Sequence, residues 1–196
     1  MRWRSLLVLS LLLNGCAAAV AVSAIPGVLV DRAVSFFSGQ EASLPVGMQQ
    51  ALVGVQQGLG QMGLQVDVLE PVEEGYAVEF GNGELDGDIL LKRQTKSLTT
   101  LTVSAHRGLT HEASVERAIV KEIRQATEQM NNDASFDFQG YRKIYVRPDS
   151  GKRYVGWFRP GAMLHVTKSN HPGWLKIKLP SGQAGYVRAN LSHVGT

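Results

Sequence analysis

The chain has 196 residues and a formal net charge of +3 at pH 7. Its hydrophobic fraction of 44% and charged fraction of 19% exclude a disordered or collagen-like chain, and the length suits one domain or two small ones. The single cysteine, Cys16, excludes an intramolecular disulfide framework and a four-cysteine zinc site.

The N-terminus has the pattern of an export signal. A basic start with Arg2 and Arg4 precedes an almost unbroken apolar run from Leu6 to Leu13. This order is typical of a secretory signal peptide, so residues 1–15 are predicted to be removed.

The end of this signal, Leu13-Asn14-Gly15-Cys16, resembles the bacterial lipobox. In that family the cysteine thiol receives a diacylglyceryl group, and after cleavage it is the first residue. The resemblance implies a covalent lipid on Cys16 as the only attached group, followed by an apolar tether over 16–39. Ala17, rather than Asp, follows the cysteine, which indicates an outer-membrane lipoprotein facing the periplasm. Several acyl chains would make this attachment to the cell envelope effectively permanent.

An uncleaved anchor is the alternative reading of the same region. The stretch from Leu6 to Val30 carries no charge and is long enough to span a membrane. The Asn14-Gly15 and Pro26-Gly27 breaks argue against one continuous helix.

Charge divides the rest of the chain into two parts. Residues 16–140 carry a net charge of −8, and residues 141–196 carry +9, with Asp149 as their only acid. Two parts of opposite sign indicate two domains, 40–130 and 141–196. The polar segment 131–140 is the predicted linker.

The pattern of residues 40–130 predicts an α+β domain: a helix, an antiparallel sheet of about four strands, and a second helix. The first helix places Met48, Leu52, Val55, Leu59 and Met62 on one face. Alternating strands follow, with a hairpin turn at Asp86-Gly87. Thr110 is the predicted N-cap of the second helix, whose inward residues are Val115, Ile119, Ile123, Ala126 and Met130.

Residues from Cys16 to about Ile123 resemble a family of short bacterial lipoproteins known as a domain of unknown function. The shared features, in order, are Ala17 to Val22, the run Leu59-Gly60-Gln61-Met62-Gly63-Leu64, the turn Asp86-Gly87, and Gly108 followed by Glu112 to Ile119. The resemblance implies an envelope lipoprotein and supplies no activity.

Two patterns in this part partly match metal-binding motifs but are incomplete. His111-Glu112 begins like a zinc-protease helix, but Val115 stands where the second histidine belongs. Glu84, Asp86 and Asp88 could meet a cation, yet their spacing lacks the rest of a calcium loop. A solvated hairpin tip is the favoured interpretation, and no metal site is predicted.

The basic part contains short alternating strands every eight to twelve residues, which predicts a small all-β barrel. It resembles the bacterial SH3 domain at Arg147, Gly161, Trp174, Ile177, Gly182, Gly185, Val187 and Leu191. Tyr186 stands in place of the tryptophan that is common there. The resemblance implies an SH3-like fold that binds cell-wall peptides or glycan, and sometimes proteins.

Basic residues interleaved with aromatic ones favour a binding role for this part. Arg and Lys match carboxylates, and aromatic faces stack on sugars and peptide planes. The predicted ligand-binding residues are Arg147, Tyr154, Trp157, Arg159, Trp174 and Tyr186. Trp174 and Tyr186 fit a barrel core as well as a groove, and Trp157 is the better exposed contact. Lipid head groups are a further possible ligand, whereas export argues against nucleic acid.

The sequence predicts a non-catalytic envelope lipoprotein whose basic domain binds peptidoglycan or a periplasmic partner. The alternative is an accessory docking subunit of a secretion or transport machine. An enzyme is disfavoured, because the only cysteine is the lipidation site and no Gly-x-Ser-x-Gly elbow is present.

Overall fold

The structure is a computed structural model that describes residues 39–131, 133–148 and 153–189. The predicted signal peptide, Cys16 and the tether up to residue 38 lie outside the described residues, as does Leu191. Below, residues 39–131 are called the first half and residues 141–189 the second half.

The first half contains two helices and six strands. The helices are α1 (Met48–Gln61) and α2 (Ala113–Gln129). The strands are β1 (Gln40–Leu44), β2 (Gln65–Val72), β3 (Gly75–Gly81), β4 (Asp86–Thr95), β5 (Leu98–Arg107) and β6 (Thr110–His111).

The second half is all-β within its described residues. Its strands are β7 (Arg142–Tyr145), β8 (Tyr154–Phe158), β9 (Val166–Lys168), β10 (Trp174–Lys178) and β11 (Ala184–Arg188).

All eleven described strands belong to one antiparallel sheet, so the predicted fold class is wrong. The order is β1-β5-β4-β3-β2-β8-β7-β11-β10-β9, and β6 also pairs with β5. The expected four-stranded sheet and separate SH3-like barrel do not form, because β8 adds to the edge of β2 that β3 leaves open. An open strand edge presents unpaired N–H and C=O groups, which a neighbouring strand satisfies. The hydrophobic alternation of the sequence does not show which strand will pair with that edge.

The two helices pack on one face of the first half of the sheet. Ile119 and Ile123, which were predicted to point inward from the second helix, are fully buried. The helices approach closely at Gly58, where an added Cβ would lie 2.9 Å from the backbone of Ile123. This core also contains Phe80, the largest fully buried side chain of the described chain.

The start of α2 differs from the prediction. Thr110 lies in β6 rather than at the N-cap, which is Glu112 and makes no side-chain capping hydrogen bond. Glu116, in the first turn of the helix, has a buried carboxylate. Its Oε1 accepts a hydrogen bond from the backbone N–H of Ala105 at 3.0 Å and another from His111 Nε2 at 2.6 Å. The helix is therefore attached to β5 and β6 by a side chain within its own first turn.

The segment predicted as a linker packs against the sheet. Phe136 is buried in the core of the first half. Asp137 exchanges two hydrogen bonds with the side chain of Gln56 in α1, at 3.0 and 2.9 Å. Tyr141 Oη donates to the carbonyl of Val66 at 2.9 Å. The chain between the halves is thus held to both α1 and β2.

A second buried cluster lies on the opposite face of the sheet, where the two halves meet. It consists of Val68, Ile144, Phe158, Ala162, Leu164, Ile177, Leu179 and Val187. Val68 comes from β2, and the other members come from the second half. One strand thus contributes side chains to both cores.

Candidate binding surface

One face of the second half carries a row of aromatic and basic side chains. Directly paired residues of neighbouring strands point to the same side of a sheet. The register pairs Tyr154 with Tyr145, Tyr145 with Tyr186, and Tyr186 with Lys176. Four strands, β8, β7, β11 and β10, therefore each contribute one residue to a continuous row.

A second set of pairs widens this row. Trp157 is paired with Lys143, and Trp174 is paired with Arg188. Lys143, Trp174 and Arg188 each lie two positions from a row member on the same strand, so their side chains point to the same side as the row. Trp157 lies three positions from Tyr154, but the bulge between Gly156 and Tyr154 brings its side chain to that side too. We call these eight residues the aromatic–basic face: Lys143, Tyr145, Tyr154, Trp157, Trp174, Lys176, Tyr186 and Arg188.

The rings of the face contact one another at their edges. Tyr154 and Trp157 are 5.2 Å apart between centroids at 61°, and Tyr145 and Trp174 are 5.6 Å apart at 90°. Phe138, which is 41% exposed, extends the first pair by lying 4.8 Å from Trp157. Edge-to-face contact covers a face of only one ring in each pair.

Two of the three cations of the face lie over rings, and none of the three is paired with a carboxylate of the described chain. Lys143 Nζ lies 4.7 Å from the ring centroid of Tyr154, and Arg188 Cζ lies 5.5 Å from that of Trp174. Among the described residues, no carboxylate lies within 4 Å of Lys143, Lys176 or Arg188. All three are exposed, so their charge is available to an anionic ligand.

Four of the six residues predicted to bind a ligand lie on this face. Tyr154 is 46% exposed, whereas Trp157, Trp174 and Tyr186 are half-buried. Neither Trp174 nor Tyr186 belongs to the buried cluster of the second half. Trp157 lies at the margin, where it packs partly against the core of the first half.

The other two predicted residues lie apart from the face. Arg147 is exposed beyond the end of β7 and makes no ion pair within the described chain. Arg159 follows β8 and forms an ion pair with Asp67 of β2, with Nη2 at 2.6 Å from Oδ1. Its backbone N–H also donates to the carbonyl of Asp67 at 2.8 Å. Arg159 thus joins the halves of the protein.

Sequence reasoning missed four residues of the face, Lys143, Tyr145, Lys176 and Arg188, and the neighbouring Phe138. Tyr145 and Lys143 were visible as part of a basic, aromatic strand, but their neighbours depend on the pairing of β7 with β8 and β11. Phe138 lies in the predicted linker, and nothing in its immediate sequence indicates that it stacks on Trp157. The surface is assembled by the register between neighbouring strands, which cannot be read from the sequence.

Two acidic residues of the first half, one on β3 and one on β4, lie on the face of the sheet opposite the helices. Glu79 of β3 is directly paired with Asp88 of β4. Burial, together with the nearby Asp88 carboxylate, raises the pKa of Glu79 to about 7. Burial likewise raises the pKa of Asp88 to about 6, although the charges of His106 and Lys178 act against the rise. Two neighbouring carboxyls are thus costly to ionise together.

Among the described residues, no group of three or more His, Cys, Asp or Glu side chains has an arrangement that could hold a metal ion. Within the same ranges, no helix has both the length and the apolarity needed to cross a membrane. No protein-family model matches the chain, and a search of curated proteins finds no match either.

Proposed function

We propose that the protein is a non-catalytic, lipid-anchored cell-envelope protein whose aromatic–basic face binds peptidoglycan or a periplasmic partner. The observation that carries the proposal is the face itself, where exposed cations without carboxylate partners lie among aromatic rings on four adjacent strands. Lipidation of Cys16 would hold this face in the periplasm, on the inner side of the outer membrane.

The chemistry of the face suits the polymers of a cell wall. Cations attract the carboxylates of peptide stems, and aromatic faces stack on sugar rings and peptide planes. The described part of the second half contains nine basic residues and no acidic one, so it would attract an anionic polymer at long range. Because the cations are exposed, this attraction should weaken as salt is added.

Sedimentation with purified peptidoglycan tests the proposal. The whole chain carrying Cys16→Ala, which removes the lipid site, should sediment with the wall at low salt. Replacing Lys143, Lys176 and Arg188 together by Gln should reduce the bound fraction by about tenfold or more. The matched control replaces Arg117, Lys121 and Arg124 of α2 by Gln, because it removes the same charge from an exposed helix of the first half.

Equal loss in both triple variants would reduce the effect to net charge and contradict a role for the face. Tyr154→Ala separates ring contacts from charge, since this ring is nearly half exposed. No sedimentation of the parent chain at low salt would contradict wall binding. Recovery of one defined protein by cross-linking in cells through the face would favour the alternative, a docking subunit of an envelope machine.

The anchor has its own test. Labelled palmitate should be incorporated into the natural chain and not into the Cys16→Ala variant. Label that persists in the variant would contradict lipidation at Cys16. Equal sizes of precursor and mature chain would instead support the uncleaved apolar anchor.

A further inference from the structure

A polar cleft of about 380 Å³ lies where the two halves meet, outside the aromatic–basic face. It is lined by Gly63, Gln65, Asp67, Gly81, Asn82, Gly83, Arg159, Gly161 and Met163. This volume lies within the range of small-molecule sites, but the lining is polar, so it fits a small hydrophilic ligand better than an apolar one.

Three loops that line the cleft each contain a glycine with a positive φ. Gly63, Gly83 and Gly161 have φ values of 71°, 92° and 85°, which L side chains rarely adopt. A Cβ added at Gly63 or Gly161 would meet nothing within 4 Å. The backbone conformation therefore favours glycine at these three positions of the lining.

The ion pair in the cleft leaves one polar atom unused on each partner. Arg159 donates from Nε and Nη2 to the same atom, Oδ1 of Asp67, at 3.1 and 2.6 Å. Among the described residues, no acceptor binds Nη1 of Arg159, and no donor binds Oδ2 of Asp67. A cationic donor and an anionic acceptor thus lie side by side in one cavity.

Two amide side chains complete the polar lining. Asn82 Oδ1 accepts hydrogen bonds from the backbone of Glu84 and Leu85, both at 3.0 Å, so its Nδ2 is the group left to donate. Gln65 is exposed at the start of β2 and makes no side-chain hydrogen bond within the described chain. The cleft can therefore donate to and accept from a ligand at several points.

We propose that this cleft binds a zwitterionic α-amino acid group, with the ligand carboxylate on Arg159 and the ligand ammonium on Asp67. A zwitterion is favoured because it carries both charges within a few bonds, as the unused atoms of the ion pair require. A ligand with only one charge would leave the unused atom of the other group, Nη1 of Arg159 or Oδ2 of Asp67, desolvated without a partner, at a cost. The group could belong to a free amino acid or to the free end of a diamino acid within a wall peptide.

Calorimetric titration with three probes tests the charge requirement. The whole chain with Cys16→Ala should bind alanine, and should bind alaninamide and N-acetylalanine at least about tenfold more weakly. Each of the latter two lacks one charge of the zwitterion, and loss of a charged hydrogen bond commonly costs this much. No binding of alanine, or equal binding of all three, would overturn the proposal.

A filled cleft tests the location without disturbing the ion pair. Gln65→Phe places a ring in the cleft at an exposed strand end and should abolish alanine binding. Gln94→Phe is the matched control, because Gln94 is exposed at the far end of β4 and should leave binding unchanged. Unchanged binding in Gln65→Phe would place the site elsewhere and overturn the assignment.

The source of the zwitterion is decided by comparing free 2,6-diaminopimelate with a wall peptide that carries its free end. Tighter binding of the peptide supports wall peptide as the source, and equal affinity supports the free amino acid. The inference does not depend on the aromatic–basic face. Gln65→Phe should lose alanine binding and keep the salt-sensitive part of wall sedimentation that the face provides. The Lys143, Lys176 and Arg188 triple variant should lose that part and keep alanine binding.

Discussion

Arg159 donates two hydrogen bonds to a single carboxylate oxygen of Asp67, although 92 positions separate the two residues in the chain. The pairing of β8 with β2 brings them together, since Arg159 directly follows β8 and Asp67 lies within β2. The most basic part of the chain is thereby joined to the most acidic part through a half-buried ion pair. Burial raises the pKa of Asp67 more than Arg159 lowers it.

A double-mutant cycle should show that this pair stabilises the fold. Asp67→Asn and Arg159→Gln are each expected to lower the free energy of unfolding by about 1–3 kcal/mol, because each leaves its partner unpaired. The range is kept below that of a fully buried pair because the Arg159 side chain is 30% exposed. Urea unfolding of the two single variants and the double variant measures the coupling.

The double variant should lose less than the sum of the two single variants. Arg147→Gln is the control, since Arg147 is exposed and makes no ion pair within the described chain. Strict additivity would mean that Asp67 and Arg159 do not stabilise each other.

The two halves should unfold in one transition. Both described helices lie in the first half, so far-UV circular dichroism reports mainly on that half. Trp174 lies in the second half away from the core of the first half, and Trp3→Phe together with Trp157→Phe leaves its fluorescence as the probe of the second half. Because β2–β8 pairing and the Asp67–Arg159 contact join the halves, the two signals should change at the same urea concentration.

Weakening a contact between the two halves should move the circular dichroism and fluorescence transitions to lower urea concentration together. Ser181 donates from its backbone N–H and its hydroxyl to the two carboxylate oxygens of Glu70, at 2.9 and 2.6 Å. Ser181→Ala removes the hydroxyl bond and should lower stability by about 1 kcal/mol. Two separate transitions would instead support independent domains at 40–130 and 141–196.

Two glycines of α1 should respond in opposite directions to the same substitution. Gly58→Ala should destabilise the protein by several kcal/mol, because its Cβ would lie 2.9 Å from the backbone of Ile123 and force α2 away. Gly60→Ala should stabilise it by about 0.5–1 kcal/mol, because a Cβ added there would meet no other part of the structure within 4 Å and alanine favours the helix. Thermal unfolding measures both, and a stabilising Gly58→Ala would contradict the close helix contact.

Stability should fall as pH rises through the titration of Glu79 and Asp88. Their pKa values in the folded protein, about 7 and about 6, lie above the unfolded values, so the unfolded state gives up its protons first. The stabilising effect of these carboxyls is therefore complete below about pH 4 and is lost as pH rises through 6 and 7. We expect a loss of order 2 kcal/mol, since both groups are only half-buried.

Glu79→Gln should remove much of this pH dependence, because an amide does not ionise. Urea unfolding at pH 5 and pH 8 measures the difference, with Glu73→Gln, an exposed carboxylate of the β2–β3 turn, as the control. The same pH dependence in Glu79→Gln and in the natural chain would show that other groups cause it.

Local elements followed closely from the sequence. The helical spacing from Met48 to Met62 matches α1, and alternation predicted strands where β3 and β5 lie. These patterns are readable because one face of each element is buried, which fixes a period of 3.6 or 2. The start of α2 was not readable, because a buried Glu116 contact replaces the expected N-cap.

The candidate site was predictable by residue type but not by arrangement. The basic and aromatic content of the second half singled out Tyr154, Trp157, Trp174 and Tyr186, which share a face. The same reasoning placed Arg159 with them, whereas a carboxylate from the first half binds it. A charged side chain takes its partner from whatever strand lies beside it, and that neighbour is set by the sheet order.

The sequence by itself determined the opposite charges of the two parts and the periodicity of most elements, because each depends on residues near one another in the chain. The export signal stays a prediction, since it lies outside the described residues. The tertiary structure decided that one sheet runs through both parts, which rings and cations share a face, and that Asp67 and Arg159 lie in one polar cleft. The continuous sheet and the shared cleft depend on the pairing of β8 with the open edge of β2, whereas the face depends on pairing among β8, β7, β11 and β10. Backbone hydrogen bonding favours pairing at such an edge, but residue identity does not specify its partner.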